Sequence, residues 1–370
     1  MFKITKSYIP GKFKTSIILI SDIHYTNRKD IKKLDKLYNV LKNMKSKYVC
    51  IAGDLIDSYD IEKKYIINYL KKLSKIKKVI ISLGNHDIRL KDKEYTSFFD
   101  KDFWNTIKSL DNVYLLNNEG VLIDDIYFYG FTQSFNYYYK NKCESLDLLL
   151  NEIDNNNVNK TYGKYKVLLM HSPIFIDNKI VREKLSSYDL ILSGHMHNGC
   201  IPPIIDELVK NNRGIIAPNK KIFPKNARGI SIVGNYAVVS SGITKLSRSA
   251  PLILRMFNFI FPMSIHELII GSDDVYKNNI KYLKWYWQIF INNLLLECTN
   301  DKFVHTLTVL CESEFNQNPL KGVFPPEDSA FFNCEHNINM WNLIIYDTIN
   351  CEGVIIYLIC HDKRFLKVQI

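Results

Sequence analysis

The chain has 370 residues, 46% of them hydrophobic and 13% aromatic, with 15 Gly and 11 Pro. That is enough apolar material for one large domain or two, and it excludes a disordered, collagen-like or low-complexity chain. The net charge of +11 is uneven: residues 273–370 hold 8 Lys and Arg against 12 Asp and Glu, leaving 41 against 26 for residues 1–272. A basic body suits phosphate-bearing substrates or an anionic surface, although lysines on the polar faces of helices account for much of the charge.

The first 14 residues carry lysines but not the apolar core of a signal peptide, and no stretch reaches 18 apolar residues. Residues 251–262 contain Arg255, and residues 282–296 contain Lys284, Gln288 and Asn292–Asn293. The latter read as a buried amphipathic helix; the alternative is a helix lying on a membrane surface through Trp285, Trp287 and Phe290. The eight Cys form no CxxC pair, so without an export signal they read as the reduced thiols of a cytoplasmic protein. Peripheral contact with the inner face of a membrane stays open.

In chain order, Ser16–Ile20 reads as a buried strand and runs into Asp22-Ile23-His24. Residues 30–47 carry apolar positions at a period near 3.6, which predicts an amphipathic helix. A strand over 48–52 ends in Gly53-Asp54-Leu55-Ile56-Asp57, a helix follows over about 61–76, and a strand over 79–83 ends in Gly84-Asn85-His86-Asp87. This βαβαβ order predicts a largely parallel sheet with ligands at the carboxyl ends of its strands. Next come a helix around 96–110, strands near 113–116 and 126–131, the aromatic cluster Tyr137–Tyr139, and a helix near 145–153. A strand over 166–170 ends in His171, and one over 189–192 leads into Ser193-Gly194-His195-Met196-His197-Asn198-Gly199. Residues 200–228 form a Pro- and Lys-containing insertion. Gly234-Asn235 between two apolar runs predicts a hairpin, and a last strand covers 267–270.

The strand ends thus gather Asp22, His24, Asp54, Asn85, His86, His171, His195 and His197. Five of the six histidines in residues 1–272 lie in these motifs, and only His266 does not. Eight candidates are too many for one four-coordinate ion and suit two cations sharing a carboxylate. Asp, His and Asn donors without thiolate favour Mn, Fe or Zn.

Asp22-x-His24, Gly53-Asp54-x-x-Asp57, Gly84-Asn85-His86-Asp87, His171 and Gly194-His195-x-His197 resemble, in order and spacing, the five signature blocks of the calcineurin-like metallophosphoesterases over residues 14–272. The resemblance implies two packed central sheets flanked by helices, an α/β fold; strand patterns by themselves also allow a single doubly wound sheet. It implies that Asp22, His24 and His197 bind a first cation, that Asn85, His171 and His195 bind a second, and that Asp54 bridges them. His86 would face the phosphate and protonate the leaving oxygen, and Asp57 would orient His86. Two divalent cations, manganese before iron or zinc, would hold the hydroxide that attacks a phosphodiester or phosphomonoester. Ser58-Tyr59 stand where protein Ser/Thr phosphatases carry Arg-Gly, and the Asp87 ending leans toward phosphodiesterase-like bacterial branches with small substrates. Residues 241–246 and 264–268 are similar to the close of a bacterial branch that includes membrane-associated phosphoesterases.

Candidate substrate contacts are Asn198 and, in the insertion, Arg213, Lys220 and Arg228, beside Lys221 and Lys225. They would grip a phosphate-ester small molecule or a lipid head group, with a solvated loop as the alternative. Nucleic acid fits the charge, but no DNA-binding motif accompanies it. Residues 273–370 read as a small accessory α+β extension with strand-like runs at 303–310, 340–347 and 353–359. Two other functions compete with a phosphoesterase: a nuclease on the same cations, and a scaffold that keeps the fold without catalysis.

Overall fold

The structure is a computed structural model. It describes residues 2–9, 13–57, 61–88, 101–139, 144–201, 212–218, 221–233, 236–240, 242–243 and 263–271, and beyond them the backbone of five strands between 307 and 369. The chain divides into two compact units, Met1–Asn278 and Asn279–Ile370.

The first unit starts with β1 (Phe2–Ile9), β2 (Thr15–Ile20), α1 (Ile31–Asn43), β3 (Tyr48–Ala52), α2 (Lys63–Ser74), β4 (Lys78–Ser82), α3 (Lys101–Lys108) and β5 (Val113–Leu116). It continues with β6 (Glu119–Ile123), β7 (Ile126–Phe131), α4 (Phe135–Tyr139), α5 (Leu146–Asn155), β8 (Tyr165–Met170), α6 (Lys179–Lys184) and β9 (Leu190–Ser193). It closes with β10 (Gly229–Val233), β11 (Tyr236–Ser240) and β12 (Met263–Ile270).

These strands make two six-stranded sheets, ordered β1-β12-β2-β3-β4-β5 and β10-β11-β9-β8-β7-β6. A single doubly wound sheet is thereby excluded. In the first sheet β2, β3, β4 and β5 run parallel, as helical crossovers require. In the second, β7, β8, β9 and β11 run parallel.

Alternation along the strands builds the layers. Ile17, Leu19, Cys50 and Ile80 of the first sheet meet Phe128, Val167, Leu169, Leu190 and Leu192 of the second in a core between the sheets. The alternate residues Ile18, Ile20, Val49, Ile51, Val79 and Ile81 face Leu34, Leu37 and Leu41 of α1, Ile66, Leu70 and Leu73 of α2, and Trp104 of α3. On the far side Tyr129, Phe131, Leu168, Met170 and Ile191 pack on Tyr137 and Tyr138 of α4, Leu149 and Ile153 of α5 and Val181 of α6. Each helix buries the apolar stripe that its 3–4 residue spacing predicts.

Beyond the elements expected from the sequence, the fold contains β1, β6, α4 and α6, and β12 is longer than 267–270. The α3 helix covers the second half of the expected 96–110; residues 96–100 lie outside the described residues, as do Gly234-Asn235, although β10 and β11 pair antiparallel up to Val233↔Tyr236. In the second unit β13 (Leu307–Cys311), β14 (Ala330–Phe332), β15 (Asp347–Asn350), β16 (Gly353–Ile359) and β17 (Arg364–Gln369) form an antiparallel sheet ordered β14-β13-β17-β16-β15. The apolar stretches 251–262 and 282–296 lie outside the described residues. Among the described residues, no helix is long and apolar enough to cross a membrane.

Candidate metal centre

The carboxyl ends of β2, β3 and β4 from one sheet and of β8 and β9 from the other open onto one volume. Main-chain bonds knit the ends together: Asp22 N donates to Gly53 O at 3.1 Å, His24 N to Asp54 O at 3.0 Å, and Gly194 N to His171 O at 2.9 Å. Other contacts tie sheet to sheet. His195 N donates to the Asp22 carboxylate at 3.1 Å, and His171 Nδ1 donates to Ala52 O at 2.8 Å.

The backbone turns sharply to aim these side chains. Asp22, His24, Asp54, His195 and His197 all have φ between 46° and 67°. Left-handed backbone costs an L-residue about 1 kcal/mol or more, and it persists at sites where the surrounding structure dictates it. Gly53 (φ 80°) must be glycine for a second reason: a Cβ there would fall on the His171 ring and within 2.8 Å of Gly84 Cα.

Two groups of donor atoms result. In the first, one ligand atom each from Asp22, His24 and His197 lies within 4.8 Å of the others. His24 Nε2 is 3.5 Å from Asp54 Oδ2 and 4.0 Å from Asp22 Oδ1. In the second, His171 Nε2 is 3.2 Å from Asp54 Oδ2 and 3.2 Å from Asn85 Oδ1, which is 3.1 Å from His195 Nδ1. Donors that share one ion at about 2.1 Å stand about 3 Å apart, so this spacing fits one cation. Asp54 Oδ2 faces both groups.

His24 supplies the test of fit. Its Nδ1 donates to Asp57 Oδ1 at 3.2 Å, so Nε2 carries the lone pair. That Nε2 is buried, has no hydrogen-bond partner, and looks toward two carboxylates. A lone pair among anions is satisfied by a cation. The oxygen and imidazole donors, without thiolate, suit Mn, Fe or Zn. Burial lowers the pKa of His24 against the pull of Asp57 and Asp54, which favours the neutral, ligating imidazole.

His86 sits beside this group and differs from it. Its Nδ1 donates to the carbonyl of Asp57 at 2.8 Å, its amide donates to Asp54 Oδ1 at 2.9 Å, and its side chain is 20% exposed. The Asp57 carboxylate lies nearer His24 (3.2 Å) than His86 (3.6 Å). Asp57 therefore orients His24 through its side chain and His86 chiefly through its main chain.

The substrate-side candidates are more dispersed. Asn198 follows His197 with φ 56° and is half-buried. Arg213 Nη1 donates to Phe223 O at 3.0 Å and Arg228 Nε to Arg213 O at 3.1 Å, so both arginines fasten the insertion to itself. Lys220 lies outside the described residues.

Several residues of the site were given no role by the sequence, Asp87 of the fourth-strand motif among them. The Asp87 carboxylate accepts from Leu55 N, Ile56 N and Gly84 N at 3.3, 3.0 and 2.9 Å, tying the β3 and β4 ends together. Tyr138 lies with its ring 5.4 Å from that of His195, Tyr139 Oη accepts from Asn85 Nδ2 at 2.9 Å, and Glu144 Oε1 is 2.9 Å from His195 Nε2. Glu144 and His195 are 51 residues apart, so spacing could not pair them; the aromatic cluster is the one sequence signal in this segment.

Two sheets whose strand ends bring Asp, His and Asn donors into groups that could hold metal ions define a metal-dependent hydrolase class of site. The chain matches the calcineurin-like phosphoesterase family over residues 15–199, half of its length, and it belongs to that family. It is similar to an uncharacterized metallophosphoesterase of Campylobacter jejuni, 27% identical over 202 residues that cover 54% of this chain and 48% of that one. An uncharacterized metallophosphoesterase of Bacillus subtilis is 26% identical over 205 residues, covering 53% and 66%. The chain thus spans about half the length of the first relative and about two thirds of the second. The crystal structure of TT1561 from Thermus thermophilus superposes with a TM-score of 0.39 at 11% identity, over 62% of this chain and 90% of that one.

Proposed function

We propose that this protein hydrolyses a phosphoester, a diester or a monoester, of a small molecule or lipid head group, with two manganese ions in the strand-end site. The observation that carries this reading is the buried, unpartnered Nε2 of His24 facing Asp22 and Asp54. Asp22, His24 and His197 would hold one cation, Asn85, His171 and His195 the other, and Asp54 both. When bound, such a pair neutralises phosphoryl oxygens and acidifies a water for in-line attack on phosphorus.

The chain's own residues supply the rest. Asp57 fixes the His24 ring in the tautomer that leaves Nε2 to ligate. His86, partly open to solvent and anchored at Nδ1 by the Asp57 carbonyl, presents Nε2 as the group that gives a proton to the leaving oxygen. The positive charge of residues 1–272 draws anionic substrates toward the opening.

The test is a screen of the manganese-loaded chain against mono-aryl and bis-aryl phosphates, cyclic nucleotides and lipid-linked phosphates. Turnover that a chelator abolishes is expected. A chain that holds two cations yet turns over none of these would overturn the reading, and cleavage of a DNA strand that falls steeply with salt would move it to a nuclease.

A further inference from the structure

We propose that Glu144 and Tyr139 are positioning residues for the second cation, fixing His195 and Asn85 so that their lone pairs converge. This rests on the two-cation reading above.

Three ligands surround the second position, and each is held from behind. His171 donates Nδ1–H to the carbonyl of Ala52, an acceptor only, which leaves Nε2 to face inward. His195 Nε2 lies 2.9 Å from Glu144 Oε1; an ionised carboxylate also only accepts, so the ring hydrogen sits on Nε2 and the Nδ1 lone pair faces inward. Asn85 spends an amide hydrogen on Tyr139 Oη, which turns Oδ1 inward. The three inward atoms are the ones that stand 3.1 and 3.2 Å apart. A carboxylate behind a ligating imidazole fixes its tautomer and raises its basicity.

Glu144 is built into a firm place. Its side chain is buried, and the next residue, Ser145, caps α5 by accepting from Leu148 N at 3.5 Å. The α5 helix packs through Leu149 and Ile153 into the outer core that also holds Tyr138. Tyr139 ends α4 on the same wall. Both residues reach ligands of the second group, and Asp57 stands behind His24 in the first.

The test is a titration of the full chain with Mn(II), read as ions bound per chain and as the affinity of each, with visible absorption of the Co(II)-loaded protein as a second readout. Wild type should bind two ions. Glu144→Gln keeps the reach and the acceptor but loses the charge, and should weaken the second ion by less than about tenfold. Glu144→Asp keeps the charge but falls a methylene short; with Glu144→Ala it should weaken the second ion by about 10- to 100-fold, change the Co(II) spectrum and leave the first ion unchanged. Tyr139→Phe should weaken the same ion more mildly. Equal second-ion affinities for wild type, Gln and Asp overturn the proposal, and Gln and Asp decide it if Ala does not fold. Wild type that binds fewer than two ions overturns the two-cation reading instead.

Discussion

His171 Nε2 stands 3.2 Å from Asp54 Oδ2, and neither side chain is open to solvent. Burial by itself would lower the His171 pKa, but the Asp54 and Asp22 carboxylates outweigh it and hold the imidazole at about 9. Burial likewise works against the charge of Asp54, yet His171 and His86 hold its carboxyl well below the usual range. In the metal-free protein a proton on His171 is thus the counter-charge of the centre.

A cation must displace that proton. Apparent affinity should therefore rise with pH up to about 9, by about tenfold per unit for one proton released. Calorimetry in buffers of different ionisation enthalpy measures the release; a pH-independent affinity between about 6 and 9 contradicts it. Stability follows the raised pKa. The contribution of His171 to the metal-free fold is complete below about 6.5 and is lost as pH rises through about 9. The melting temperature should fall over that window in chelator and stay level with manganese bound.

His86→Ala and Asp54→Asn should fail differently. The first should keep both cations and lose turnover by about 10²- to 10⁴-fold, the usual worth of a proton donor. The second removes charge from the oxygen that faces both His24 and His171, and should lose cations as well as turnover. Equal metal content in the two variants would contradict this division of roles.

Gly84→Ala tests the packing of the β4 end. A Cβ there would overlap the Asp54 carboxylate and come within 2.5 Å of the Asp54 main-chain nitrogen. Backbone must shift, so we expect a loss of about 1–3 kcal/mol in denaturant unfolding together with weaker metal binding. Wild-type values for both would show that the two strand ends are not locked.

Asp87→Ala should destabilise by at least about 2 kcal/mol, because it leaves the amides of Leu55, Ile56 and Gly84 without their acceptor. Asp87→Asn, which keeps one acceptor oxygen, should recover part of this. Chemical denaturation of the metal-free forms makes the comparison.

What the sequence displayed was the part of the site written as local pattern. Five apolar runs stop at polar clusters, and those clusters are the ligand set because the strand ends of both sheets converge and left-handed turns just past them aim Asp22, His24, Asp54, His195 and His197 inward. What it hid were contacts across distance. Glu144 meets His195 over 51 residues with no fixed spacing, and Tyr139 lies in a cluster that otherwise packs. The β1 strand, Phe2–Ile9, buries only Ser7 and Ile9 and mixes Lys and Thr with Ile, so it shows little buried-strand pattern until β12 pairs with it. The β6 strand is likewise an edge strand with one buried residue.

The placement of β12 between β1 and β2 bears on how the protein is made. All seven candidate ligands lie within the first 197 residues, yet the outer edge of β2 and all of β1 wait for residues 263–270. A nascent chain that has just released His197 holds every ligand, while the β2 edge of the first sheet and the β9 edge of the second are both still unpaired. Such an edge is a template for mispairing, and pairing across some 250 residues is slow to form. The centre should therefore mature late in synthesis, with binding of cations rewarding completion of the sheet.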